Sequence, residues 1–407
     1  MFERWLVLRR VFSEVASDGS PEIVDLAIRT MRQHLDMDVA YVSRIDGDNS
    51  VFLHVDAPGL EHMFHPGASV PLESVYCPHI IAGRLPQLMN DTADYEIARA
   101  LPLTGAVPIG AHMSIPLRRR DGSVFGMFCC LSRKANSTLN DRDLNVMRVI
   151  ADMATRQIIT REEHESADRE SRLRIQNVID NGEFDVVYQP IWDVRERRPK
   201  GFEALCRFRA EPYRSPDLWF SDASAIGMGA ALEMAVMQKA LAALKVLPPP
   251  AFLSVNASPH TILSGVLPSL FEGLDAHRIV LEITEHAAVA DYALLRGALA
   301  PLRAIGIKLA IDDAGAGYSA LTHIIELKPD VIKLDMDITR SVDSDAARRA
   351  LASAMVFFST ETGCVLVAEG IETAGELETL RTLGVPRGQG YLLGRPGDLA
   401  EACRLFG

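Results

Sequence analysis

The spacing of apolar positions changes along the chain, and each change marks a different kind of element. Residues 1 to 35 repeat at helical spacing, with Ser20-Pro21-Glu22 as cap and first turn before IVDLAIRTMRQHL. Alternation with a period of two follows in Val39 to Ile45 and Val51 to Val55, on either side of Asp46-Gly47-Asp48-Asn49. It returns in His112 to Arg118 and Val124 to Leu131, around Arg120-Asp121-Gly122. These are hairpin signatures, and a helix from about Asn140 closes the unit. Helix, antiparallel sheet, helix predicts a compact α+β domain of the sensor type.

From Asn140 to about Gly182 the chain is nearly free of Pro and Gly, and its middle, TREEHESADRESRLR, mixes charges of both signs. That pattern predicts one continuous, partly exposed helix, either a plain spacer or a segment that pairs with its copy in a dimer.

From Asp185 short apolar runs alternate with helical stretches such as Asp222 to Leu247 and Asp343 to Thr362. Eight runs qualify as strands: Asp185 to Pro190, Gly201 to Arg207, Ala251 to Ala257, Arg278 to Thr284, Ile307 to Asp313, Asp330 to Asp335, Cys364 to Gly370 and Gly388 to Gly394. Roughly 225 residues of strand alternating with helix is what a (β/α)8 barrel requires, and in that fold chemistry sits at the C-terminal strand ends. The expected division is a front domain over 1–160, a helical linker over 161–182 and the barrel over 183–407.

Composition narrows the class without naming it. Apolar residues make up 48% and charged residues 24%, the balance of an ordinary globular protein. No apolar run reaches the roughly 18 residues of a membrane span, and MFERWLVLRRVFSEVA is too charged for a signal peptide, so a cytoplasmic protein without membrane partners is expected. A formal charge of −12 argues against binding a nucleic-acid polymer, while leaving room for a small phosphorylated ligand held through metal ions. The six cysteines show no C-x-x-C spacing and read as reduced and buried.

Polar residues interrupt the apolar strands at or near the expected barrel mouth: Gln189, Glu203 with Arg207, Asn256, Glu282, Asp312 with Asp313, Lys333, Glu369 and Gln389. A short run, Lys308 to Ile311, stops at Asp312-Asp313 before the loop Gly315-Ala316-Gly317, and neighbouring strand residues diverge unless the chain bends there. One buried polar group is easily satisfied, but acids from several strands converging on one mouth are costly without cations. Carboxylates with one amide and no Cys or His suit hard ions such as Mg²⁺ or Mn²⁺. Glu203, Glu282, Asp312, Asp313 and Glu369 exceed what one ion needs, so two ions sharing a bridging Asp is the economical arrangement. Two-metal sites typically cleave phosphate esters by in-line attack of water. Glu203 and Arg207 share a strand face, so the acid can hold metal while the guanidinium forks onto phosphate.

The front region resembles a GAF domain through DVAYVSRIDGD, YCPHIIAGRLP and IPLRRRDGSVFGMFCCLSR. That resemblance implies ligand sensing or dimerisation and leaves the ligand unnamed. Cys77 is separated from His79 by Pro78, unlike the Cys-His pair that carries a bilin in some photoreceptor GAF domains, so a structural cysteine is the preferred reading.

The segments FEALCRF, SVNASP, LEITE, AIDDAGAGYSAL, VIKLD, VAEGIE and GQGYLLGRP resemble, in order, the signatures of the EAL domain family of cyclic di-GMP phosphodiesterases, over about residues 170 to 407. The resemblance implies a TIM-type barrel whose first strand is antiparallel, and a homodimeric hydrolase opening cyclic di-GMP to linear pGpG under GAF control. Glu203, Asn256, Glu282 and Asp312 would hold one ion, and Asp312, Asp313 and Glu369 the second. Lys333 would hydrogen-bond and help to activate the attacking water. Glu285 matches a position that anchors the loop after Asp313, while Gln389 and Glu372 match further active-site positions beside Gln189 and Arg207. Ala314, Ala316 and Ala320 depart from the family's usual Phe, Thr and Ser in that loop. No GGDEF-type segment occurs. The alternatives are a catalytically silent cyclic di-GMP receptor signalling through the linker helix and, without the family, a metal-dependent barrel lyase of the enolase type.

Overall fold

The computed structural model describes residues 21–283, 289–314 and 318–406, and the chain divides into two compact units, residues 1–167 and 168–407.

In the first unit, six strands form one antiparallel sheet: β1 (Val39–Asp46), β2 (Asn49–Asp56), β3 (Ser69–Pro71), β4 (Leu88–Met89), β5 (Ala111–Arg118) and β6 (Val124–Ser132), in the order β3-β2-β1-β6-β5-β4. Both expected hairpins are present, β1 with β2 and β5 with β6. Side-chain alternation gives the sheet two cores. Ala40, Val42, Met113, Phe128 and Cys130 pack with residues of the helices Pro21–His34 and Asp141–Asn181, and Tyr41, Met127 and Cys129 pack with Phe64, Tyr76 and Cys77 on the other face.

The helix Asp141–Asn181 runs unbroken for 41 residues, and between 160 and 173 it is mostly exposed. Its last turns belong to the second unit, where Ile175 and Val178 pack on Phe184, Phe208 and Trp219. Asp222 receives both Arg174 at 3.0 Å and Arg214 at 2.6 Å, whose guanidinium groups lie over Trp219.

The second unit is a closed barrel of β7 (Phe184–Asp193), β8 (Arg198–Phe208), β9 (Phe252–Asn256), β10 (Ile279–Ile283), β11 (Lys308–Ala314), β12 (Val331–Leu334), β13 (Val365–Ala368) and β14 (Arg387–Gly388). β7 runs antiparallel to both its neighbours, β8 and β14, and the remaining pairs are parallel. The main core, including Leu253, Leu281, Leu309, Ile332 and Leu366, lies between barrel and helices. A smaller set, Ile191, Val280, Ala310, Val331 and Val367, forms a separate cluster of inward-facing residues.

Three expectations need correction. The stretch Asp222 to Leu247 is two helices, Pro216–Ala225 and Gly229–Leu241, because Gly227 turns left-handed at φ +73° between them. The last strand stops at Gly388 because the chain then turns, the N–H groups of Leu393 and Gly394 both donating to the Gly390 carbonyl at 3.0 Å. All six cysteines are free, but Cys364 and Cys403 are only partly buried. Among the described residues no helix is long and apolar enough to cross a membrane.

Candidate metal centre

Strand geometry carries the polar residues to one end of the barrel. Glu203 and Gln189 face each other across the β7–β8 ladder, and Asn256 and Glu282 are partners where β9 and β10 end. Lys333 lies one residue from the end of β12, and Glu369 follows β13 directly. Alternation along each strand sends these side chains inward.

Lys333 is the hub. Its ammonium, 1% exposed, lies 3.2 Å from Glu203 Oε2, 3.0 Å from Glu282 Oε2, 3.0 Å from Asp312 Oδ1 and 2.8 Å from Glu369 Oε1. Burial works against its charge, but the four carboxylates overcome that and hold it well above the ordinary lysine range. One ammonium does not neutralise the group. Burial pushes Glu282 up to about 8 despite Lys333, and holds Glu369 well above the usual carboxylate range.

Asp312 and Asp313 would point apart in a regular strand. The β11–β12 register slips between Ile311 and Ala314, and Asp313 takes a left-handed φ of +55°. The backbone N–H of Asp313 donates to Asp312 Oδ1 at 3.1 Å. Both carboxylates therefore reach the same mouth, and burial, Asp312 and Asp335 together push Asp313 up to about 6.

Two overlapping carboxylate groups result, Glu203 with Glu282 and Asp312, and Asp312 with Asp313 and Glu369, each with ligand oxygens within 4.8 Å of one another. The donor set is all oxygen, which fits Mg²⁺ or Mn²⁺ better than zinc. Asn256 Nδ2 is 3.4 Å from Glu203 Oε1. Gln389 Nε2 donates to Glu203 Oε2 at 2.7 Å and to Gln189 Oε1 at 3.0 Å, and its own Oε1 is buried without a partner among the described residues. Gln189 in turn donates to the Gly394 carbonyl at 3.3 Å.

Arg207 makes no ion pair with Glu203; its Nη1 donates to the Cys206 carbonyl at 2.7 Å, and the side chain is exposed along a cavity of about 550 Å³ that Glu203, Asn256, Asp312 and Glu233 also line. Glu372 stands apart from the cluster, half-exposed, with its carboxylate 3.9 Å from Arg340. Glu285 and Ala316 lie outside the described residues, as does the side chain of Ala320, while Ala314 is fully buried in the main core.

Two further groups belong to the site. Asp335 hydrogen-bonds Asp313, and Ser254 hydrogen-bonds Glu282. Ser254 sits two residues before Asn256 on β9, so strand alternation places it on the same face, whereas Asp335 lies just past the end of β12 as the N-cap of the helix Met336–Thr339.

A family model described as EAL domain matches residues 172–396, and one described as GAF domain matches residues 18–156. The probable cyclic di-GMP phosphodiesterase PdeD of Escherichia coli K12 is 30% identical over 230 residues, which are 54% of this chain and 42% of that protein. Curated relatives from Azorhizobium caulinodans and Caulobacter vibrioides are matched over 36% and 29% of their length, so the chain spans well under half of such relatives. Among solved structures, the PaMucR phosphodiesterase in complex with c-di-GMP is 26% identical with a TM-score of 0.52, covering 57% of this chain and 99% of that one. An EAL domain protein from Listeria monocytogenes EGD-e is also 26% identical with a TM-score of 0.52, over 56% of this chain and 94% of that one.

Proposed function

The chain belongs to the EAL domain family, and on that premise we propose that it is a cyclic di-GMP phosphodiesterase that opens the cyclic dinucleotide to linear pGpG at the mouth of the barrel. The observation that carries the proposal is the pair of carboxylate groups overlapping at Asp312.

Glu203, Asn256, Glu282 and Asp312 would hold one divalent ion, and Asp312, Asp313 and Glu369 a second. When bound, such ions supply Lewis acidity toward the phosphoryl oxygens and make water nucleophilic at neutral pH. The remaining work falls to the chain. Arg207, exposed beside the cavity, would fork onto a phosphate. Lys333 would orient the attacking water and balance the charge that grows on the phosphorane. It can take a proton only after yielding its own, and its hold on that proton weakens where cations share its carboxylates. The water oxygen would form the new bond to phosphorus while its proton passes to Lys333 or solvent, and the in-line P–O bond would break, the released 3′-oxygen of the ribose taking up a proton. Gln389 would keep the Glu203 carboxylate turned toward the mouth while Gln189 fixes Gln389.

The GAF domain would regulate this site, the helix Asp141–Asn181 being the covalent route between the two domains. The active form would be a homodimer, for which Leu321 and Ile325, exposed on the helix Tyr318–Leu327, offer an apolar contact.

The alternative is a catalytically silent receptor, toward which Ala314, Ala316 and Ala320, departures from the family's usual loop, count. Product formation from cyclic di-GMP in Mg²⁺, Mn²⁺, Ca²⁺ or EDTA separates the two. Conversion to pGpG in Mg²⁺ or Mn²⁺, abolished by EDTA, is expected of the enzyme. Binding without consumption in every metal would establish the receptor.

A further inference from the structure

The opposite end of the barrel carries a cavity that the proposed chemistry does not use. It has a volume of about 470 Å³ and is lined where the parallel strands begin, by Arg387 of β14, Lys308 of β11 and Phe252 of β9, with Lys200 of β8 beside them and Phe406 from the C-terminal segment. Register puts these side chains together. Arg387 pairs with Val367 and Lys308 with Val280, two residues of the inward-facing apolar cluster.

Arg387 is the informative residue. Its guanidinium is partly buried, 5.0 Å from the centre of the Phe252 ring, and has no hydrogen bond or ion pair among the described residues. Asp193 is the opposing charge within electrostatic reach, yet burial still pulls Arg387 below its ordinary range. A half-buried cation with unmet N–H donors is costly unless an acceptor reaches it. Lys308 likewise has no carboxylate partner among the described residues, whereas Lys200 is held by Glu196 at 2.7 Å and lies 3.8 Å from Asp193. In a chain of net charge −12, two unpaired cations converging on a cavity are not a general surface property.

We propose that this end of the barrel binds a phosphorylated ligand of mononucleotide size with a planar apolar body. Arg387 and Lys308 hold the phosphate, the guanidinium by its fork and the ammonium as a point charge. Pro249, Pro250 and Phe406 supply an apolar wall for the planar body. The volume falls within the range of roughly 300–1,000 Å³ usual for small-ligand sites.

The test is calorimetric titration of the full chain in EDTA with guanosine monophosphate, guanosine and inorganic phosphate as probes. The monophosphate is expected to bind, with Kd weakened at least tenfold by Lys308→Ala and by Arg387→Met and unchanged by Glu203→Gln at the other end. Lys308 is exposed, so Lys308→Ala keeps the test valid where Arg387→Met fails to fold. No binding of any probe at millimolar concentration overturns the proposal, as does weakening by Glu203→Gln with Lys308→Ala unaffected. Guanosine binding as tightly as its monophosphate overturns the role of the phosphate, and inorganic phosphate binding as tightly overturns that of the planar body.

Discussion

Lys333 Nζ lies 2.8 Å from Glu369 Oε1, so the residue proposed to handle water is also the counter-charge of the carboxylates proposed to hold metal. Replacing it therefore has two separable effects. Lys333→Met is expected to lower turnover of cyclic di-GMP by at least about 10²-fold at saturating Mn²⁺, the scale of a lost acid–base group. In EDTA the variant is expected to be about 3–5 kcal/mol less stable, the cost of leaving buried charges unpaired, and Mn²⁺ should recover most of that loss. Thermal unfolding with and without Mn²⁺ measures the second effect independently of activity.

Glu203→Gln keeps the shape of a side chain that both Lys333 and Gln389 contact and removes a charge from one carboxylate group. Activity is expected to fall to background while the far-ultraviolet circular dichroism stays unchanged. Retained hydrolysis in the purified variant would sink the assigned metal set.

Gln389→Ala leaves every proposed metal ligand in place but releases Glu203 Oε2 from its 2.7 Å hydrogen bond. The expected result is a loss of about 10–100-fold in apparent metal affinity with kcat largely restored at high Mn²⁺, as for other residues that orient metal ligands. A drop in kcat that added metal does not restore would give Gln389 a direct role in the chemistry.

Asp313 has φ +55°, a conformation that Asn tolerates and a β-branched residue does not. Asp313→Asn should preserve stability within about 0.5 kcal/mol and weaken metal binding, whereas Asp313→Val should also cost about 1–2 kcal/mol. Equal stability of the two variants by urea denaturation would show that the bulge does not constrain the position.

His112 is fully buried in the sheet of the GAF domain, with Nδ1 unpartnered among the described residues, and burial pulls it down to about 3. Its folded pKa is depressed, so the unfolded chain binds more protons as pH falls below about 6.5. Stability is full above that value and declines toward the folded pKa, by up to about 1.4 kcal/mol per pH unit from this residue. Protection factors of peptides from β5 and β6, with the intrinsic exchange rate at each pH divided out, should fall between pH 6.5 and 4.5, and His112→Gln should reduce that dependence.

The barrel strands, apart from the extent of the last, and the polar residues near their ends are local properties of the chain, and they were legible in it. Apolar runs interrupted by Glu203, Glu282, Asp312 and Lys333 mark strands without reference to any neighbour. The same is true of the hairpins of the front domain and of the unbroken helix Asp141–Asn181, where Pro and Gly are nearly absent. The antiparallel first strand was not a local property; it came from resemblance, and in the fold it rests on the ladders of β7 with β8 and β14.

What only the tertiary structure decided are the relations between residues far apart in sequence. No spacing rule assigns Lys333 four carboxylates from four other strand ends, because that depends on barrel closure. The left-handed Asp313 depends on β12 lying alongside with a slipped register, so the Asp pair converges through a contact its own segment does not contain. Glu372 illustrates the reverse: it stands in VAEGIE beside Glu369, yet the turn after β13 sends it toward Arg340. Nothing in the sequence singles out Arg387 either. Only closure of the barrel sets it against Phe252 and Lys308 and leaves its donors without an acceptor.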